Sequence, residues 1–96
     1  MKRLLPLTFC ALVLGSGTQA QQADRAIREG NAAYRAKDLS KAIQRYAQAQ
    51  ADPRGAFNLG NAHYRLDSAA DAQHSYEAAS SLAKDPAAQA RAFHNL

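Results

Sequence analysis

The chain is expected to be all-α, and three observations carry that expectation. From residue 21 onward there are 21 alanines, no Trp and little Val or Ile. Alanine is the best helix former, whereas strands favour β-branched and aromatic residues. The second observation is repetition at an offset of 30 residues. Residues 28–35 read REGNAAYR and residues 58–65 read NLGNAHYR, so Gly, Asn, Ala, Tyr and Arg recur in phase. At the same offset Ala42 meets Ala72, Tyr46 meets Tyr76 and Ala49 meets Ala79. Alanine abundance does not produce matches at Gly, Asn and Tyr. The third observation is punctuation. Asp52 before Pro53, and Asp85 before Pro86, read as an N-cap followed by Pro at the first helical position. A chain of 96 residues allows one small domain at most. The expected architecture is a set of antiparallel helix hairpins stacked into a short solenoid.

Residues 1–20 read as a signal peptide. Lys2 and Arg3 form a charged start, and residues 4–14 form an apolar run interrupted only by Pro6 and Thr8. Gly15, Ser16 and Gly17 break that run, and Thr18, Gln19 and Ala20 resemble a small-x-Ala cleavage site. The apolar run is too short to span a membrane, which needs roughly 20 residues. The alternative, an N-terminal amphipathic or core helix, fits less well because residues 4–14 show no polar face. Cys10 follows bulky Phe9 and is itself followed by apolar residues, which argues against lipidation. Cleavage after Ala20 leaves residues 21–96 with 10 basic and 8 acidic groups, a net charge of +2 in place of +4. Both signs are interspersed, so there is no electrostatic case for nucleic acid. The mature chain has no Cys and can form no disulfide.

The repeat region covers residues 21–96, with repeat one at about 22–52, repeat two at about 53–85 and a partial third at about 86–96. Helices are expected at about 22–36, 40–51, 54–66, 69–82 and 87–96. Lys37 and Asp38, and then Asp67 and Ser68, supply turn and cap groups between apolar runs. Gly30 and Gly60 fall inside helices, where Gly costs about 1 kcal/mol relative to Ala. Close passage of a neighbouring helix backbone explains that cost, with Ala42 and Ala72 as the partners on the second helix of each pair. Tyr46 and Tyr76 fill the wider gap beside them, and Ala49 and Ala79 continue the stripe. Ala92, Phe93, His94, Asn95 and Leu96 open a third copy.

This pattern resembles the tetratricopeptide repeat (TPR), whose signature pairs Leu-Gly on a first helix with Ala, an aromatic and Ala on the second, then Pro. The first copy has Gly30, Ala42, Tyr46, Ala49 and Pro53, and the second has Leu59, Gly60, Ala72, Tyr76 and Ala79. Ala26 and Ala56 stand where the family usually places a large aromatic, and Glu29 stands for Leu. The first period is 30 residues, against roughly 34 in the family. The shortened first period and the sequence FNLGNA at 57–62 also resemble the TPR component of the Bacteroides-aerotolerance operon family. That likeness implies an exported, periplasmic protein working beside membrane-anchored von Willebrand A-domain partners.

The resemblance implies binding, not catalysis, in a concave groove lined by the first helix of each pair. Helical spacing places Ile27, Asn31, Tyr34 and Arg35 on that face from the first copy. Phe57, Asn58, Asn61, Tyr64 and Arg65 come from the second. An Asn amide can both donate to and accept from an extended peptide backbone. Tyr34 and Tyr64 fit equally well as packing residues between adjacent first helices, and Arg35 and Arg65 as solvated helix ends. Some family members clamp a terminal carboxylate with five side chains. Asn31, Asn58 and Arg91 match three of those positions, but Ile27 and Asn95 stand where cations belong. Losing two of three cations removes most of the charge-assisted binding, so carboxylate clamping is not expected.

No catalytic, cofactor or metal site is expected. His63 and His74 lie on different helices of one pair, with no ligand spacing between them, and His94 is isolated. Glu29 and Glu77 have no partnered His. The leading expectation is an exported adaptor that binds a protein or peptide. The alternative is a structural or self-assembling chain that uses its last helix. The sequence reads as a piece of a longer solenoid, with residues 21–96 marginally stable alone.

Overall fold

A computed structural model describes residues 17–94, with side chains through Ala90. Five helices follow one another: α1 (Gln19–Arg35), α2 (Leu39–Ala47), α3 (Pro53–Arg65), α4 (Ala69–Ala83) and α5 (Pro86–His94). There is no strand among the described residues, so the fold is all-α. Residues 1–16, the body of the expected targeting segment, lie outside the described residues. So do Asn95 and Leu96, and the side chains of Arg91, Ala92, Phe93 and His94.

Helix α1 starts three residues before the expected 22. Thr18 is its N-cap, and Thr18 Oγ1 accepts from the Gln21 amide at 3.1 Å. Gln21 Oε1 accepts from the Thr18 amide in return, at 3.0 Å. This reciprocal capping box satisfies two amides that the first turn would otherwise leave unbonded. At the other end, Lys37 adopts a left-handed φ of 65°. Its amide donates to Tyr34 O at 3.0 Å, and the Asp38 amide donates to Ala33 O at 2.9 Å. The end of α3 repeats this turn: Asp67 has φ 59°, its amide donates to Tyr64 O at 3.0 Å, and Ser68 donates to His63 O at 2.9 Å. Both turns are Schellman motifs with a non-glycine residue at the left-handed position.

The Asp-Pro starts form as the sequence indicates. Asp52 Oδ1 accepts from the Arg54 amide at 2.9 Å, and Asp85 Oδ1 from the Ala87 amide at 3.1 Å. Asp38 caps α2 by accepting from the Lys41 amide at 3.2 Å, whereas Ser68 makes no side-chain cap bond to α4.

Helix α2 is shorter than expected, ending at Ala47 and not near residue 51. Beyond it the chain tightens. Gln48, Ala49 and Gln50 donate to Arg45 O, Tyr46 O and Ala47 O, each three residues back. This tightening places the Ala49 carbonyl against α3. A Cβ on Gly55 would lie 2.6 Å from the Ala49 carbonyl carbon, so only glycine fits there. The 15-residue α4 has no such early stop, against nine residues in α2. The short first period therefore comes from a truncated second helix and a close-packed turn.

Helices α1 and α2 run antiparallel, because their contacts descend along one helix as they ascend the other. Ala26 and Ile27 cluster with Ala49, Gly30 meets Tyr46, and Ala33 clusters with Ala42. Gly60 meets Tyr76 in the same way. Helix α3 lies across the first pair, where Leu59 and Ala62 join Ala33, Ala42 and Tyr46 in one core. Burying a side chain of Leu59's size contributes about 2 kcal/mol. Helix α5 rests on α4, α3 and α1, with Ala88 fully buried.

Candidate partner-binding site

The expected partner of Gly30 is the Ala42 backbone; the structure places an aromatic ring there instead. A Cβ on Gly30 would lie 2.5 Å from Tyr46 Cδ1 and Cε1, and one on Gly60 would lie 2.6 Å from the same atoms of Tyr76. Each glycine lets a ring lie flat on the first helix of its pair. The ring's far end then meets the next residue of that helix. Tyr46 Oη donates to Asn31 Oδ1 at 2.6 Å, and Tyr76 Oη donates to Asn61 Oδ1 at 2.6 Å. Gly, Asn and Tyr thus recur together because they form one device. The glycine seats the ring and the Asn satisfies its hydroxyl, which burial would otherwise leave unpaired. Burial raises the Tyr46 pKa above its ordinary value, helped by Tyr34 and opposed by Arg35.

This device changes the meaning of two expected groove residues. Asn31 and Asn61 are half-buried and each spends its side-chain oxygen on a tyrosine. Ile27 is a further correction. At 8% exposure it packs with Ala26 and Ala49 in the core, where a ligand cannot reach it. Tyr34 takes its packing role. Its half-buried ring sits 6.5 Å from that of Tyr46, and Arg65 of α3 donates to its hydroxyl at 3.3 Å. The Arg65 guanidinium also lies 5.3 Å from the Tyr34 ring centroid, a cation–π contact between the two first helices. Arg65 is therefore engaged as well as exposed, while Arg35 is an exposed helix end. Asn58 is half-buried. Arg91 lies beyond the described side chains.

Among the described residues, Phe57 and Tyr64 are the exposed aromatics. Phe57 is 52% exposed and Tyr64 is 66% exposed. The Phe57 ring lies 5.5 Å from that of Tyr76. Two shallow apolar hollows flank Tyr76: Pro53, Phe57, Ala79, Ser80 and Ala83 line one, and Tyr64, Ala69, Ala72 and Gln73 lie around the other. The contributions of Tyr76, Ala79 and Ala83 are not visible as site residues in the sequence, where they read only as hairpin packing. The repeat offset is the signal that finds them, because it maps this face onto the covered face of the first pair.

The charged side chains brace the helices. Arg54 pairs with buried Asp52 at 2.9 Å and reaches Asp24 of α1 at 3.7 Å. The hydrogen bond to Asp52 raises the Arg54 pKa. Asp24 also pairs with Arg28, and Arg45 of α2 lies 3.4 Å from Glu29 of α1. Among the described residues no group of three or more His, Cys, Asp or Glu could hold a metal ion. No helix among them is long and apolar enough to cross a membrane. No protein-family model, curated protein or solved structure matches this chain.

Proposed function

We propose that this protein is an exported helix-repeat adaptor of TPR type that binds a protein or peptide partner and carries out no chemistry. One observation carries the reading. The Gly–Tyr–Asn device occurs twice, 30 residues apart, with the same ring seat and the same 2.6 Å hydrogen bond. Units built alike and laid side by side present their first helices as one surface. On that surface Asn58, Tyr64, Arg35 and Arg65 are available, and the Asn31 and Asn61 amide groups can still donate. Residues 1–20 support export to the periplasm, through their charged start, apolar run and small-residue end. Membrane-anchored von Willebrand A-domain proteins are the partner class that the Bacteroides-aerotolerance resemblance suggests.

Photo-crosslinking tests this reading. A photoreactive residue is placed at Asn58 or Arg35 in the full chain, expressed in its own cell envelope, with Ser40 of α2 as control. Adducts of discrete mass at the first two positions, absent at Ser40, are the expected result. Equal labelling at all three, or none, would sink the proposal.

A further inference from the structure

Cleavage after Ala20, the site that the export reading requires, falls inside helix α1. Gln19 and Ala20 open that helix, and the Ala20–Gln21 bond lies in its first turn. The cut also removes Thr18, whose hydroxyl accepts from the Gln21 amide and whose own amide donates to Gln21 Oε1. Cleavage therefore consumes the cap of α1. Gln21 becomes both the terminus of the chain and the new start of the helix.

Gln21 then meets the conditions for closing on itself. Its side chain curls back toward the start of the chain. Oε1 lies 3.0 Å from the Thr18 amide, and a Cβ on Gly17 would lie 2.7 Å from Oε1 and 3.7 Å from Cδ. The hydrogen bond that holds the carboxamide there is to Thr18, so the cut releases it. Gln21 is exposed, and the first buried residue after it is Ala26, so the core does not cover the new terminus. The positive end of the helix dipole disfavours an ammonium at this place and favours the free amine, which is the nucleophilic form.

We propose that Gln21 is a modification site, which closes to pyroglutamate once cleavage after Ala20 makes it the N-terminus. The α-amine nitrogen attacks the side-chain Cδ and forms a new amide bond. The Cδ–Nε2 bond breaks, and Nε2 takes a proton from the amine and leaves as ammonia. No oxidant, reductant or co-reactant enters. The lactam is neutral, so α1 carries no positive charge at its positive end, and the terminus is closed to aminopeptidases. The inference rests on the export reading above and gives its product a chemical fate.

The full chain, expressed in its own cell envelope, is read by intact mass and by N-terminal sequencing. The expected product is residues 21–96 less one ammonia. It should resist Edman degradation until pyroglutamyl aminopeptidase removes the ring and exposes Gln22. Gln21→Asn, whose shorter side chain cannot close an unstrained ring, should be cut at the same bond and keep a free amine. A chain that starts at an open Gln21, unchanged by prolonged incubation at neutral pH, overturns the inference and leaves export standing. A blocked terminus in the Gln21→Asn chain assigns the block to another modification and also overturns it. A chain that retains residues 1–20, or starts elsewhere, overturns the cleavage site and the inference with it.

Discussion

The two helix pairs use nearly the same residues to reach different states. In α1–α2, Tyr46 is 2% exposed, while its counterpart Tyr76 in α3–α4 is only half-buried. Tyr34 is gripped by Arg65, whereas Tyr64 is 66% exposed. The ring seat is the same in both pairs, down to the hydroxyl bond on Asn31 or Asn61. Burial therefore follows from what lies next to a pair, not from what the pair contains. An element made to accept a neighbour is a core where the neighbour is present and an exposed apolar face where it is not.

The largest way to break the comparison is at the connection between the pairs. Gly55→Ala would push a Cβ into the Ala49 backbone, which cannot rotate away, and should cost about 3 kcal/mol in urea denaturation. Ala88 holds the matching place three residues after Asp85, and is buried without conflict. A cost near zero for Gly55→Ala would mean the two connections are alike after all.

Next come the ring seats. Gly30→Ala displaces the buried Tyr46 ring, and the clash outweighs the helix-propensity gain, for a net loss of about 2 kcal/mol. Gly60→Ala meets a ring with an open side, so Tyr76 can swing out and the net change should lie within about 0.5 kcal/mol. Equal unfolding midpoints for the two variants would erase the distinction between the pairs.

The hydroxyl bonds give a smaller effect. Tyr46→Phe leaves Asn31 Oδ1 without its donor and should cost about 1 kcal/mol, with Tyr76→Phe costing less because water can replace the bond. The raised Tyr46 pKa has a defined sign. A pKa higher in the folded state than in the unfolded chain means the fold favours the neutral phenol. That stability is fully present below the unfolded value of about 10 and is lost as pH rises through the folded value. Absorbance of ionised tyrosine should show a last phase coinciding with loss of helix, and Tyr46→Phe should remove it.

The smallest effect is at the turns, where replacement should stabilise. Lys37→Gly relieves a left-handed lysine and should add about 1 kcal/mol. Asp67→Gly should add about half that, because Asp tolerates this conformation better. Thermal midpoints measure both, and a decrease at Lys37 would contradict the Schellman assignment.

Local signals in the chain were mostly readable. The Asp52 and Asp85 starts and the two-copy phase follow from caps and spacing that act within a few residues. The start of α1 is also written locally, as Thr18 with Gln21 three positions on, but the same residues read as a cleavage site and conceal it. The end of α2 is not visible, because residues 48–51 keep helix-forming Gln and Ala. The turn tightens there only because α3 packs against the Ala49 carbonyl. In the candidate site, Asn31 and Asn61 look like free amides on a helix face. The bonds that occupy them span 15 residues and close only when the two helices meet.

The sequence by itself determined that the chain is helical, where most helices begin, and that one unit occurs twice, because helix propensity, capping and periodicity act within a few turns. Only the tertiary structure decided that Gly30 and Gly60 seat rings, that Ile27 is core, and that Phe57 and Tyr64 stand open. Those states depend on which surfaces meet across the chain, which the residues the two pairs share cannot encode by themselves.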